Sequence, residues 1–274
     1  MIEPVENLVA TLEGKTVIFT GGSGYLGSAM VDHLLECGAT LINLGRKEPD
    51  VLSKHPGMAK HYSVDFYDTV KLTETLTAVV EELGHIDVLV NNSFDFSSAT
   101  GFNDPSGRLE NLQKDTFLKA MESGVYWSLL CSQIVGARMI DQKDGNIINI
   151  TSLYSSIVAD YRMYKGRDIF NPVNYPIVKH GLLGLTKYIA SFWSEHNIRC
   201  NSLSPGTFPN DKKDTFSPNQ VQDYEFINIL KKKCSVGRVG VPDDLLSAIE
   251  FLCSDKSSFM TGTNIIVDGG WSVI

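Results

Sequence analysis

Long apolar runs are missing from this chain: no segment approaches the roughly 20 residues that a bilayer-spanning helix needs. The stretch Met1 to Gly14 is polar and acidic, without the positive flank and apolar core of a signal peptide. A soluble, cytoplasmic protein is therefore expected. Excess positive charge is missing too. The 24 Lys+Arg stand against 32 Asp+Glu, a formal charge of −8, which argues against nucleic acid or an anionic membrane as partner. The one basic run, Lys231-Lys232-Lys233, reads as a solvated helix face. The five cysteines (Cys37, Cys131, Cys200, Cys234, Cys253) are odd in number and lack Cys-x-x-Cys spacing, so reduced thiols packed as small apolar groups are expected. The six histidines (His33, His55, His61, His85, His180, His196) show no metal-ligand spacing, and no metal is expected. Absent as well are a Gly-x-Ser-x-Gly hydrolase elbow and the Gly-Lys-Ser/Thr ending of a phosphate loop. No nucleic-acid or membrane partner is expected.

What the chain does have is alternation. Thr16–Thr20, Thr40–Leu44, His61–Val64, Ile86–Val90, Asn146–Ile150, Ile198–Leu203 and Thr263–Val267 read as strands. Between them, Tyr25–Cys37, Val70–Leu83, Asp115–Met139 and Val178–Ser194 carry helical periodicity, and Pro242-Asp243 opens a further helix. Such repeats predict an α/β, Rossmann-type doubly wound parallel sheet of about seven strands with helices on both faces. No linker divides the chain, so residues 1–274 are expected to form one domain, with 1–13 as an N-terminal extension. Two irregular segments, 160–174 and 207–222, should lie beyond the C-terminal ends of strands. Open α/β sheets bind ligands there, so both are candidate substrate loops as well as plain surface loops.

Three constellations carry chemistry. Thr20-Gly21-Gly22-Ser23-Gly24-Tyr25-Leu26-Gly27 joins the first strand to the first helix, where glycines let a pyrophosphate approach backbone amides. The second strand ends in Leu44-Gly45-Arg46-Lys47. It offers no acid to a ribose but two cations to a 2′-phosphate, so NADP is expected over NAD, with exposed loop charges as the plain alternative. Tyr175 and Lys179, four apart on one helix, share a face. An ammonium beside a phenol lowers the phenol's pKa from about 10, as proton transfer to a hydroxyl near neutral pH requires.

Together these residues resemble a short-chain dehydrogenase/reductase of the single-domain Tyr-x-x-x-Lys type. The likeness runs from about Lys15 to the C-terminus through Ser152, Asp65, Asn91-Asn92-Ser93, Asn197 to Asn201, Pro205-Gly206, Gly237-Arg238 and Val267 to Trp271. It implies a catalytic trio of Ser152 (orienting the substrate oxygen), Tyr175 (acid/base) and Lys179 (ribose contact and pKa depression). It also implies a cofactor site of Gly21, Ser23, Gly24, Tyr25, Leu26, Arg46, Asp65, Phe66, Asn91, Asn92, Tyr175, Lys179, Pro205 and Gly206. Homodimers or homotetramers are expected by the same likeness.

There are departures. The glycine spacing leans to the extended branch of the family, and Gly124 falls where many members carry a proton-relay asparagine. Ser152 and Tyr175 lie 23 positions apart, an insertion at Asp160–Asn174. That insertion holds a rival pair, Tyr161 and Lys165, which Gly166 and Asn171-Pro172 bar from a sustained helix. Its Tyr161, Arg162, Tyr164, Lys165 and Arg167 suit a polyhydroxylated or carboxylated substrate. His180 is a candidate for lining the site or for helix packing. The resemblance further points to flagellin-modification and surface-polysaccharide sugars, making a sugar, sugar acid or nucleotide-linked sugar the expected substrate. A gluconate-type polyol dehydrogenase, a 3-oxoacyl reductase and a non-catalytic dinucleotide-binding scaffold are the alternatives.

Overall fold

The computed structural model describes residues 11–167, 169–210 and 224–274. Residues 1–10 of the expected N-terminal extension and 211–222 of the second candidate loop lie outside them. Seven strands form one sheet: β1 (Thr16–Thr20), β2 (Thr40–Gly45), β3 (Ala59–Ser63), β4 (Val88–Asn91), β5 (Gly145–Ile150), β6 (Ile198–Pro205) and β7 (Asn264–Val267). They lie in the order β3-β2-β1-β4-β5-β6-β7 with every pairing parallel. The order reverses between β1 and β4, which opens a crevice at their C-terminal ends. The expected fold class is the one observed.

Strands buried on both faces need apolar side chains on both, and β1, β4 and β5 supply them. On one face α1 (Tyr25–Glu36) and α7 (Leu246–Cys253) pack Met30, Val31, Leu34, Ile249 and Leu252 against Val17, Phe19, Val88 and Ile148. On the other, α2 (Thr69–Leu83), α4 (Trp127–Gln142) and α5 (Asn174–Phe192) bring Leu72, Leu76, Trp127, Val135, Met139 and Ile189 against Ile18, Leu89 and Ile147. A third apolar cluster lies beyond the strand ends, built on Leu153, Tyr154, Met163, Tyr175, Leu230 and Trp271.

Two elements differ from the sequence reading. The single helix expected over Asp115–Met139 is α3 (Lys114–Met121), a π-helical turn (Glu122–Tyr126) and then α4. Such turns insert a residue into the helical ladder; a side chain at Gly124, inside this one, would press on Val178 of α5. Second, α6 (Tyr224–Lys233) was legible in the sequence only at its basic end, Lys231-Lys232-Lys233. It presents Phe226, Ile227, Ile229 and Leu230 to the third cluster. Among the described residues no helix is long and apolar enough to cross a membrane.

Candidate active site

The glycine turn is strapped to the end of β4. Thr20 Oγ1 accepts from the amides of Asn92 (2.9 Å) and Ser93 (3.1 Å), and Asn92 Nδ2 donates to the carbonyls of Thr20 and Gly21 at 3.1 and 3.0 Å. Asn43 Oδ1 accepts from the Gly22 amide at 2.8 Å. Gly21 turns with φ +74, and a Cβ at Gly27 would sit 2.5 Å from the Gly21 carbonyl oxygen. Glycine is needed at both positions. Gly24 caps α1 without a capping side chain, and the first turn holds no acid. That leaves the helix N-terminus as an anion cradle, so the residues present fit a dinucleotide pyrophosphate.

Around the cradle, Arg46 and Lys47 are exposed past the end of β2, and exposed Asp65 accepts from the Tyr67 amide at 3.1 Å. Phe66 is buried against Trp127, ring centroids 5.3 Å apart, leaving only its backbone for a cofactor. Asn91 also faces inward. Its Nδ2 donates to Asn149 Oδ1 (2.9 Å) and Ser132 Oγ (3.1 Å), so its side chain braces β4, β5 and α4. Pro205 ends β6 and pairs with Val267, while the Gly206 amide donates to the Val267 carbonyl at 2.9 Å.

The expected trio comes together. Ser152, just past β5, is buried and caps a short 3-10 turn by accepting from the Tyr154 amide at 3.2 Å. Tyr175 and Lys179 are buried in the first turns of α5, with Pro176 set where a missing amide costs nothing. Asn174 anchors this start by donating to the Thr100 carbonyl at 3.0 Å. Lys179 Nζ donates to the Ile150 carbonyl at 3.1 Å and stands 5.7 Å from the Tyr175 ring centroid.

One electrostatic expectation is reversed. Burial pushes Tyr175 up to about 12, partly offset by its hydrogen bond with Ser152. Burial likewise brings Lys179 down to about 7. The amine is turned to a carbonyl rather than to the phenol, so loss of solvation outweighs its pull.

Aromatic rings surround Tyr175, a feature the sequence reading missed. Phe94, Phe102 and Tyr154 meet it edge-on at 5.4, 5.1 and 6.2 Å, and Phe96 lies tilted at 5.9 Å. Phe94 also lies 5.0 Å from the Lys179 amine. The signal available was Ser93-Phe94-Asp95-Phe96, directly after the paired asparagines.

The insertion and α6 form one wall beside these rings. Asp160 accepts from the amide, Nε and Nη2 of Arg162, and from Lys233 Nζ at 2.9 Å. Lys233 is thus an anchor and not only a solvated charge. Tyr164 packs on Phe226 at 5.7 Å, and Arg167 lies over the same ring while reaching Glu225 at 3.5 Å. The rival Tyr161 is 79% exposed on a short 3-10 turn, away from Ser152. His180 is exposed and bonds the Pro176 carbonyl, so it lines neither site nor core. Trp271 packs within the chain, whereas Val273 and Ile274 are exposed.

A Rossmann-type sheet with a phosphate cradle at its switch point and a buried Ser-Tyr-Lys trio beside it defines a nicotinamide-dependent oxidoreductase. The sequence model of the family described as Enoyl-(Acyl carrier protein) reductase matches residues 24–272, and the chain belongs to the short-chain dehydrogenase/reductase family. It is 31% identical over 267 residues to a 3-oxoacyl-[acyl-carrier-protein] reductase of Thermotoga maritima, covering 94% of this chain and 98% of that one. Against 2-dehydro-3-deoxy-D-gluconate 5-dehydrogenase of Escherichia coli it is 28% identical, with 95% and 96% covered. A crystal structure of a gluconate 5-dehydrogenase from Burkholderia cenocepacia, in complex with NADP and tartrate, superimposes with a TM-score of 0.80 at 25% identity, covering 97% and 98%. The chain is thus an NAD(P)-dependent enzyme. The scaffold alternative falls away.

Proposed function

We propose that the chain interconverts a secondary alcohol and a carbonyl on a sugar acid or related polyol, using NADP in preference to NAD. The observation that carries this is the convergence of Ser152, Tyr175 and Lys179, all buried, at the C-terminal edge of β5. Bound nicotinamide supplies or takes up the hydride. A phenol held at about 12 is protonated at neutral pH, so Tyr175 donates its proton to the carbonyl oxygen being reduced and recovers it in the reverse direction. Ser152 donates a hydrogen bond to the same oxygen. Lys179, whose neutral and charged forms balance near pH 7, returns a proton to Tyr175 through an intervening hydroxyl or water, its amine being turned to the Ile150 carbonyl. Arg46 and Lys47 favour a 2′-phosphate, and Asp65 takes the adenine end. The enzyme works in the cytoplasm as a homo-oligomer.

Support for the substrate comes from the gluconate-type relatives and from the wall itself. Aromatic faces suit the C–H side of a sugar, and the Arg167 guanidinium suits a carboxylate. Neither of these two relatives is named for surface-glycan chemistry, so the sugar acid itself is proposed rather than a glycan pathway. A 3-oxoacyl substrate is the second reading, favoured by the apolar collar of Phe94, Phe96 and Phe102.

The test is stopped-flow nicotinamide absorbance over a panel of keto-sugar acids, polyols and 3-oxoacyl thioesters, with Tyr175→Phe alongside. Turnover of sugar acids is expected, with the variant slowed roughly 10²–10⁴-fold while cofactor affinity is held. Undiminished turnover by the variant removes Tyr175 from its role. Thioesters reduced in place of sugar acids would install the second reading.

A further inference from the structure

Sequence spacing pointed to no metal, yet the fold brings three ligand types together on the face opposite α5. His33 and Cys37 are four apart at the C-terminal end of α1, and so on one face of it. Glu250 comes from α7, which packs against α1. His33 Nε2 lies 3.1 Å from Glu250 Oε2 and 3.6 Å from Cys37 Sγ, and the three ligand atoms lie within 4.8 Å of one another. Bonds of about 2.0–2.3 Å in a tetrahedral zinc site keep ligand atoms roughly 3.3–3.8 Å apart. Bringing the trio to that spacing would take a slight widening of the His33–Glu250 pair, with the other separations at or drawn into the same range.

The surroundings match what such a site needs. The other ring nitrogen, His33 Nδ1, has the Glu36 carboxylate 3.9 Å away, beyond hydrogen-bond length, and Nε2 would exchange its present contact with Glu250 for the ion. Thr11 Oγ1 donates to Glu250 Oε1 at 2.8 Å, and Lys256 approaches that same oxygen at 3.8 Å. Oε2, now paired with His33 Nε2, is the oxygen that would turn to the ion. His33 and Glu250 are partly exposed, with the Cys37 thiol packed between them and the helix end.

We propose that His33, Cys37 and Glu250 form a zinc-class metal site that clamps the end of α1 to α7. On binding, Cys37 gives up its thiol proton to solvent and its sulfur bonds the ion; His33 ligates as the neutral imidazole. The site is structural, remote from Tyr175, and α1 is the helix that begins at the phosphate cradle.

The decisive experiment uses the full chain with Zn²⁺ or Co²⁺ alone. Competition with a chromophoric chelator should show about one equivalent bound, and Co²⁺ should give a thiolate charge-transfer band. Cys37 is the least buried of the five cysteines, so alkylation of wild type measured against Cys37→Ser isolates its reaction, and Zn²⁺ should slow it at least tenfold. Cys37→Ser and His33→Gln should each weaken binding by tenfold or more; the second keeps a hydrogen-bonding side chain and guards against misfolding. Unchanged affinity in both variants, a cobalt spectrum without the thiolate band, or no protection of Cys37 would each overturn the site.

Discussion

At the residue scale, two buried ionisable groups shape the response of this protein to pH. The Lys179 amine titrates near 7 in the fold and near 10.5 in the unfolded chain. Between those values the unfolded chain holds a proton that the folded one has shed, so raising the pH favours the fold. Without cofactor, the urea midpoint of wild type relative to Lys179→Met should rise from pH 7 to pH 10. A difference that stays flat or falls over that range would mean that Lys179 keeps its charge. Tyr175 acts oppositely. Its raised pKa costs stability from about pH 10 to pH 12, where the unfolded phenol ionises first. A third residue bears on the proposed preference for NADP. Arg46 is exposed at the end of β2 with no acid beside it on that strand. Replacing it with alanine should weaken NADP roughly tenfold and NAD by less than about twofold, measured by fluorescence titration. Equal losses for both cofactors would place Arg46 away from the 2′-phosphate.

At the element scale, the π-helical turn between α3 and α4 replaces a side chain with close packing. A Cβ at Gly124 would lie 2.7 Å from Val178 Cβ and 3.1 Å from Phe94 Cε2. Phe94 in turn packs on Tyr175, so this glycine lets the turn press directly on α5. Any larger side chain at this position would have to displace Val178 or Phe94. Gly124→Ala should destabilise by about 1–3 kcal/mol through overpacking. Adding Val178→Ala should give a loss smaller than the sum of the two single changes. Additive losses in thermal unfolding would show that the contact is not felt. The insertion works at the same scale: Asp160, through Arg162 and Lys233, ties it to α6. The insertion and α6 thereby meet as one wall.

For the whole molecule, the outer face of α5 carries an apolar stripe. Ile177, Tyr188 and Phe192 are exposed, and the last two stack at 4.1 Å with their planes 12° apart. Exposed Tyr126 follows the same pattern at the start of α4. Burying such a stripe against a second copy fits the proposed homo-oligomer. The Tyr188→Glu/Phe192→Glu variant should run as a smaller species than wild type by light scattering, with its fold retained by circular dichroism. A monomeric wild type, or a variant of unchanged mass, would send the interface elsewhere.

Periodicity, glycine placement and the Tyr175–Lys179 spacing are local, so the strands, their order of appearance, the cradle and the trio were legible along the chain. Family membership followed from the same short motifs. Lys179 turning to the Ile150 carbonyl, the ring of phenylalanines about Tyr175, the junction of the insertion with α6 and the meeting of His33 with Glu250 were not. Each depends on residues far apart in sequence, and on how much water packing removes, which no local pattern encodes. Sequence by itself determined what chemistry this protein can perform; only the tertiary structure decided the solvation of the groups that perform it, because desolvation is a property of the assembled neighbourhood.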